Sequence, residues 1–316
     1  MITTVTANLA LDVTYRLDRL TPDRVHRARS VRQRAGGKGV NVARVLRRLG
    51  YETRVVGLVG GATGEAIRAD LDAAGLPHEL VEIGGESRRT VALVSDDGQA
   101  TLINEPGPGV ADREWAELGE VVRRVGGRSA AVVFAGSLPP GVADDGYARL
   151  IARVGARGVP TVLDTSGAAL RRGVAARPDV VKPNAEELAE LTGAVGPREG
   201  ARVLRDLGAG SAVVSLGGAG LLAVTDAGSW RAEPSRQVSG NPTGAGDAVV
   251  AALAGGLVTR APWPDRLREA VAASAAAVAA PVAGDLDEQH YHRERGAARV
   301  RALAGQEESH GTGSHG

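Results

Sequence analysis

Short apolar runs, each followed by Gly, Asp, Asn or Ser, recur along the 316-residue chain. Residues 130–134, 160–163, 179–181 and 212–216 are rich in Val, Leu and Ala and lack polar alternation. Such runs suit strands buried on both faces. Helical patterns lie between them. Val42, Val45, Leu46 and Leu49 fall at i, i+3, i+4 and i+7, with Arg44, Arg47 and Arg48 on the other face and Gly50 placed to end the helix. Residues 67–74, followed by Gly75, repeat the pattern. Strand and helix in alternation predict an α/β fold with a mainly parallel sheet covered on both faces.

Two segments break the alternation. Within residues 11–35, Val13, Tyr15 and Leu17 keep period two before a second extended, arginine-rich stretch. Residues 90–104 read as a hairpin turning at Asp97-Gly98. Together these pieces could form a small β-sheet lid over a cleft. Alternation fits an edge extension of the main sheet equally well. Residues 306–316 are polar and rich in Gly, Ser and His, a composition expected to be disordered. The organisation expected is one domain over residues 1–305, with a lid from about 11–35 and 88–105.

Composition narrows the functional classes. The formal net charge of +1 gives no support for a nucleic-acid partner. The chain has no cysteine, which excludes disulfides and thiolate metal sites. Residues 1–10 lack the basic start and apolar run of a secretory signal, and the Ala-rich stretch 271–283 is too short and small-sided to span a bilayer. A cytoplasmic location with no membrane partner is expected. Of the 38 basic residues only Lys38 and Lys182 are lysines. Either the chain has drifted to arginine, or it keeps lysine where an ammonium is needed.

Three segments carry candidate chemistry. Thr243-Gly244-Ala245-Gly246-Asp247 precedes a small-residue helix over 248–256. Glycines before a helix leave backbone amides free to face an anion, and the helix dipole adds about half a positive charge. Asp247 there could take a proton from a hydroxyl attacking phosphorus. A plain turn with an acid in the first helical turn is the alternative. No Gly-Lys-Ser/Thr follows, so this is not a Walker A loop. Residues 35–43 place Gly36, Gly37, Lys38, Gly39 and Asn41 before the amphipathic helix, as a second anion- or hydroxyl-binding turn or as an ordinary helix start. In residues 181–188, Asn184 and Glu187 have capping-box spacing, and the same pair could sit near nucleotide phosphates and Mg²⁺-bound water. Both lysines therefore lie in turns before helices.

Over about residues 3–287 the chain resembles the PfkB/ribokinase family of sugar kinases. The segments 35–44 and 241–247 resemble its two glycine-rich motifs; 135–141, 164–167, 181–188 and 215–220 are supporting matches. The resemblance implies a three-layer α/β/α ribokinase-like fold with a β-sheet lid, and ATP with Mg²⁺. It implies Asp247 as base with Gly244, Ala245 and Gly246 as anion hole. Asp12, Gly37, Lys38 and Asn41 would hold the sugar. Lys182, Asn184, Ser215, Gly217, Gly220 and Thr243 would line the nucleotide side, and Glu187 would act on Mg²⁺ through water.

The segment 37–44 looks most like the branch acting on phosphorylated sugars, including 1-phosphofructokinase, tagatose-6-phosphate kinase and a 6-phosphofructokinase. Arg24, Arg27, Arg29, Arg32 and Arg34 cluster in the expected lid, and Arg88 and Arg89 precede the hairpin. Guanidinium forks suit a sugar phosphate, though charged edge strands also resist aggregation. By position Arg27 and Arg88 match phosphate-contacting arginines of the branch. Asn8-Leu9-Ala10, Thr90 and Ala92 depart from its pattern. The substrate expected is fructose 1-phosphate, giving the 1,6-bisphosphate. Tagatose or fructose 6-phosphate, an unphosphorylated sugar or nucleoside, and a non-catalytic regulator are the alternatives. The lid also offers a surface through which a homodimer could pair. His290 and His292 read as solvated surface.

Overall fold

The computed structural model describes residues 1–97, 99–238 and 240–304. In chain order the strands are β1 (Ile2–Thr6), β2 (Ala10–Leu17), β3 (Ser30–Gly36), β4 (Thr53–Val59), β5 (His78–Glu82), β6 (Arg88–Ser95), β7 (Ala100–Asn104), β8 (Ala131–Ala135), β9 (Thr161–Asp164), β10 (Val180–Val181), β11 (Ser211–Ser215), β12 (Leu221–Thr225), β13 (Gly228–Glu233) and β14 (Arg299–Ala302). The helices are α1 (Lys38–Arg48), α2 (Gly61–Ala73), α3 (Asp112–Gly126), α4 (Gly146–Gly155), α5 (Gly167–Val174), α6 (Ala185–Thr192), α7 (Pro197–Asp206), α8 (Ala245–Thr259), α9 (Trp263–Ala279) and α10 (Glu288–Ala297).

Ten strands make the main sheet, in the order β14-β13-β12-β11-β10-β9-β8-β1-β4-β5. From β5 to β11 every pairing is parallel. The last three strands join antiparallel. The apolar runs split their side chains between two helical layers because strand residues alternate faces. On β8, Val132 and Phe134 pack with Leu118 of α3, Tyr147 of α4 and Leu204 of α7. Ala131 and Val133 pack on the other face with Val42 of α1, Val249 of α8 and Leu267 of α9. Each fully buried Val or Leu contributes about 1.5–3 kcal/mol, so both layers are held by the same strands.

The two irregular segments form a separate four-stranded sheet, in the order β3-β2-β6-β7. Its register pairs Asp12 with both Arg34 and Thr90, and Ala10 with Arg88. The lid reading therefore holds and the edge-extension reading does not. One lid face is apolar: Leu11, Val13 and Ala35 pack on Val40 and Ala43 of α1 and Ile67 and Leu71 of α2. The expected turn residue Gly98 and the tail from 306 lie outside the described residues.

Candidate active site

The glycine-rich turn starts α8. Gly244 has φ 87°, and a Cβ there would fall 3.1 Å from the Ala283 Cα, so both conformation and space require glycine. Asp247 sits in the first helical turn and is 7% exposed. Amides in a first turn have no acceptor within their helix, so those of Gly246 and Asp247 can face an anion.

A second helix start meets this one. Gly37, at φ 101°, precedes α1, whose first turn carries Lys38 and Asn41. The Asn41 Nδ2 donates to Asp247 Oδ2 at 2.9 Å. The two lysines of the chain converge on one acid. Lys38 Nζ donates to Asp164 Oδ1 at 3.2 Å, and Lys182 Nζ lies 3.4 Å from the same oxygen. Asp164 ends β9 and is 1% exposed, and its Oδ2 has no partner. Both lysines thus lie in the same cleft.

These charges tune one another. Burial pushes the Asp247 carboxyl up to about 6, and Asp164 pushes the same way, while Lys38, Asn41 and Lys182 pull it back. Burial presses the Lys38 ammonium down, yet Asp164, Asp247 and Glu187 outweigh it and hold Lys38 above its ordinary value. A carboxylate near 6 can both accept a proton at neutral pH and release it again.

On the lid side, burial raises Asp12 to about 6 against the opposing charges of Arg88, Arg34 and Arg44. The Arg88 Nε donates to the Asn8 carbonyl at 3.1 Å. Its guanidinium is pushed below its usual value by burial, with Asp12 and Glu105 opposing. Arg34 bridges the lid to the body, donating to Asp285 Oδ1 at 3.0 Å and to the Ala283 carbonyl at 3.2 Å. Arg27 is exposed in the segment joining β2 to β3, seven residues before Arg34.

A cavity of about 620 Å³ opens beside the glycine-rich turn before α8, lined by Asn184, Ser215, Gly217, Gly220, Ala245 and Gly246. Lys182 reaches Gly246 from beneath, with Nζ 3.5 Å from where a Cβ would stand. Thr243 is exposed and turns its amide to Asn241 Oδ1 at 3.0 Å, outside the cavity lining. Asn184 accepts from the Glu187 amide and Glu187 Oε2 from the Asn184 amide, both at 2.8 Å. The capping box is real, and it leaves Glu187 Oε1 free while its charge still acts on Lys38. Among the described residues no group of three or more His, Asp or Glu could cage a metal. Mg²⁺ needs no such cage, since it keeps its waters and takes most contacts from phosphate. The orphaned Asp164 Oδ2 and the Glu187 carboxylate fit that mode of binding.

Sequence reasoning missed two parts of the site. In the sequence Asp164 stands out only as part of the 164–167 match, with no spacing that assigns it a role. Val271, Ser274, Ala275 and Val278 of α9 form an apolar wall of the cavity. Their signal was the same small-residue stretch read only as too short for a bilayer. A larger cavity, about 760 Å³, lies at the opposite end of α8 among Arg48, Tyr51, Glu269 and Tyr291 and touches none of these site residues. His290 pairs with Asp287 at 3.1 Å and His292 is exposed.

The profile of pfkB family carbohydrate kinases matches residues 5–289. Among solved structures, the chain is similar to phosphofructokinase-2 from Escherichia coli in complex with potassium. The identity is 29%, the TM-score 0.88, and the match covers 93% of this chain and 98% of that one. A putative phosphofructokinase from Staphylococcus aureus matches at 27% identity and TM-score 0.81, over 97% of this chain and 100% of that one. A possible 1-phosphofructokinase from Thermotoga maritima, at 24% identity and TM-score 0.85 over 96% and 99% of the two chains, shares the fold.

Proposed function

The chain belongs to the pfkB family of carbohydrate kinases, and from that premise we propose that it transfers the ATP γ-phosphoryl group to a ketohexose phosphate, with fructose 1-phosphate as the first choice. The product would be the 1,6-bisphosphate. The observation that carries the choice of a phosphorylated sugar is Arg88, half-buried beside Asp12 at the lid side of the cleft. A guanidinium held there offers a fork to a sugar phosphate.

In this reading Asp247 takes the proton of the sugar hydroxyl while its oxygen attacks the γ-phosphorus. The bond from that phosphorus to the ADP oxygen breaks, and ADP leaves with the bonding pair. The amides of the Gly244–Gly246 turn and the ammoniums of Lys38 and Lys182 stand where charge builds up. Asp12, Gly37 and Asn41 hold the sugar. Asn184, Ser215, Gly217 and Gly220 line the nucleotide cavity, with Lys182 and Thr243 at its edge. Mg²⁺, when bound with ATP, neutralises phosphate charge, and Glu187 would hold it through water. No helix among the described residues is long and apolar enough to cross a membrane.

Fructose 6-phosphate is the second reading, because a phosphofructokinase-2 of Escherichia coli, 28% identical, was solved in complex with it. Steady-state kinetics over a panel of sugars and sugar phosphates tests both. Fructose 1-phosphate should give the highest kcat/KM. An equal or better value for an unphosphorylated sugar would sink the role given to Arg88. Arg88→Ala should raise KM for phosphorylated sugars only.

A further inference from the structure

We propose that the arginine-lined cleft on the outer face of α1 is a regulatory anion site that takes a phosphate dianion, free or as a small phosphate monoester. The cleft has a volume of about 360 Å³, a size suited to a small ligand, and is lined by Arg34, Arg44, Arg47, Arg48, Gly284 and Asp285. Arg34 comes from the lid strand β3, and the other three arginines follow i, i+3, i+4 on α1.

Positive charge there exceeds the charge that offsets it. Asp285 pairs with Arg34 at 3.0 Å, and Asp70 pairs with Arg44 at 2.6 Å. Among the described residues Arg47 reaches only the Ala74 and Gly75 carbonyls. Arg48 stands 3.8 Å from the exposed Glu288. Even with Glu288 counted, four guanidiniums face three carboxylates. The Arg44 side chain is 9% exposed, and its Nε has no partner. Burial and the charge of Arg34 both push Arg44 below its usual value. Crowded like charges cost free energy that a dianion would offset through charge-assisted hydrogen bonds to the exposed guanidiniums of Arg47 and Arg48.

The cleft also touches the catalytic turn. Arg34 holds Asp285 and the Ala283 carbonyl. Ala283 packs against Gly244, and Gly284 packs against Asn41, the hydrogen-bond partner of Asp247. An anion that draws Arg34 from Asp285 therefore acts on the segment behind the base.

The test is calorimetric titration with inorganic phosphate, of the wild-type chain and of the double variant Arg47→Ala/Arg48→Ala, both carrying a non-hydrolysable ATP analogue. Both arginines are exposed, so the core stays intact. The wild type should show a saturable site that weakens about 10-fold or more in the variant. Turnover without added phosphate should stay within about twofold, since neither residue contacts the catalytic groups. Phosphate should alter wild-type kcat or KM and leave the variant unaffected. Identical isotherms, or no saturable site in the wild type, overturn the site. A kinetic effect equal in both proteins places phosphate in the catalytic cleft and overturns the regulation, as does binding without any kinetic effect. A parallel titration with fructose 1-phosphate identifies the occupant as the titrant whose affinity falls more in the variant.

Discussion

At the scale of single residues, Asp247 carries opposite demands. As the proposed base it must be ionised, and with its carboxyl near 6 the rate should fall as pH drops through that value. Asp247→Ala should lower kcat about 10²–10⁴-fold with little loss of ATP binding, read by steady-state kinetics and nucleotide titration. Stability should move the other way. The folded state holds this proton more tightly than the unfolded chain, whose value is 3.8. The stabilisation is full below the unfolded value and is lost as pH rises through about 6. Above that, ionised Asp247 costs the fold on the order of 3 kcal/mol, at about 1.4 kcal/mol per pH unit. Asp247→Asn should therefore raise the melting temperature more at pH ~8 than at pH ~5; an equal gain at both would show that ionisation is not the cause. Asp164→Asn removes a charge that raises Asp247, so the acid limb of the kcat profile should move to lower pH. The sequence displayed Asp247 and both lysines openly, because a glycine-rich turn before a helix has a recognisable spacing. It hid Asp164, since an acid at a strand end looks the same whether or not two ammoniums from distant segments close on it.

At the scale of elements, the site is two helix starts and the ends of parallel strands brought to one edge, where an open α/β sheet binds its ligands. Gly244→Ala should cost about 1–3 kcal/mol from the left-handed backbone alone, with further loss from the Ala283 contact and a fall in kcat. Asn184→Ala removes a capping oxygen and should lower stability by about 1 kcal/mol in denaturant melts. The buried runs on β8, β9 and β11 were legible to within a residue or two, because fully covered strands leave no polar alternation to misread. The lid strands were legible as strands, but their partner was not. Period two fixes which face is apolar, and only the long-range pairing of Asp12 with Arg34 and Thr90 decides which sheet they join.

At the scale of the whole molecule, both edge strands of the lid leave large apolar side chains exposed. Val31, Leu102 and Ile103 are exposed large apolar side chains on β3 and β7. Exposed apolar strands at a sheet edge invite pairing. We propose that two copies join through the lid; a phosphofructokinase-2 of Escherichia coli has a tetrameric inhibited form. Leu102→Glu/Ile103→Glu should lower the sedimentation mass toward that of the single 32.3 kDa chain. Unchanged mass would remove the lid from the interface.

The meeting of both lysines at Asp164 has a practical corollary. Across these 316 residues, reagents that acylate ε-amines find targets only inside the cleft. Lys38, with its side chain 39% exposed, should react before Lys182, at 5%. Its ammonium is held protonated by three carboxylates, so labelling should steepen with pH, and bound substrates should shield it. With the α-amino group counted separately by peptide mass mapping, one acyl group on Lys38 should then account for the loss of turnover. Dyes, tethers and cross-linkers directed at lysine side chains would silence this enzyme rather than decorate its surface.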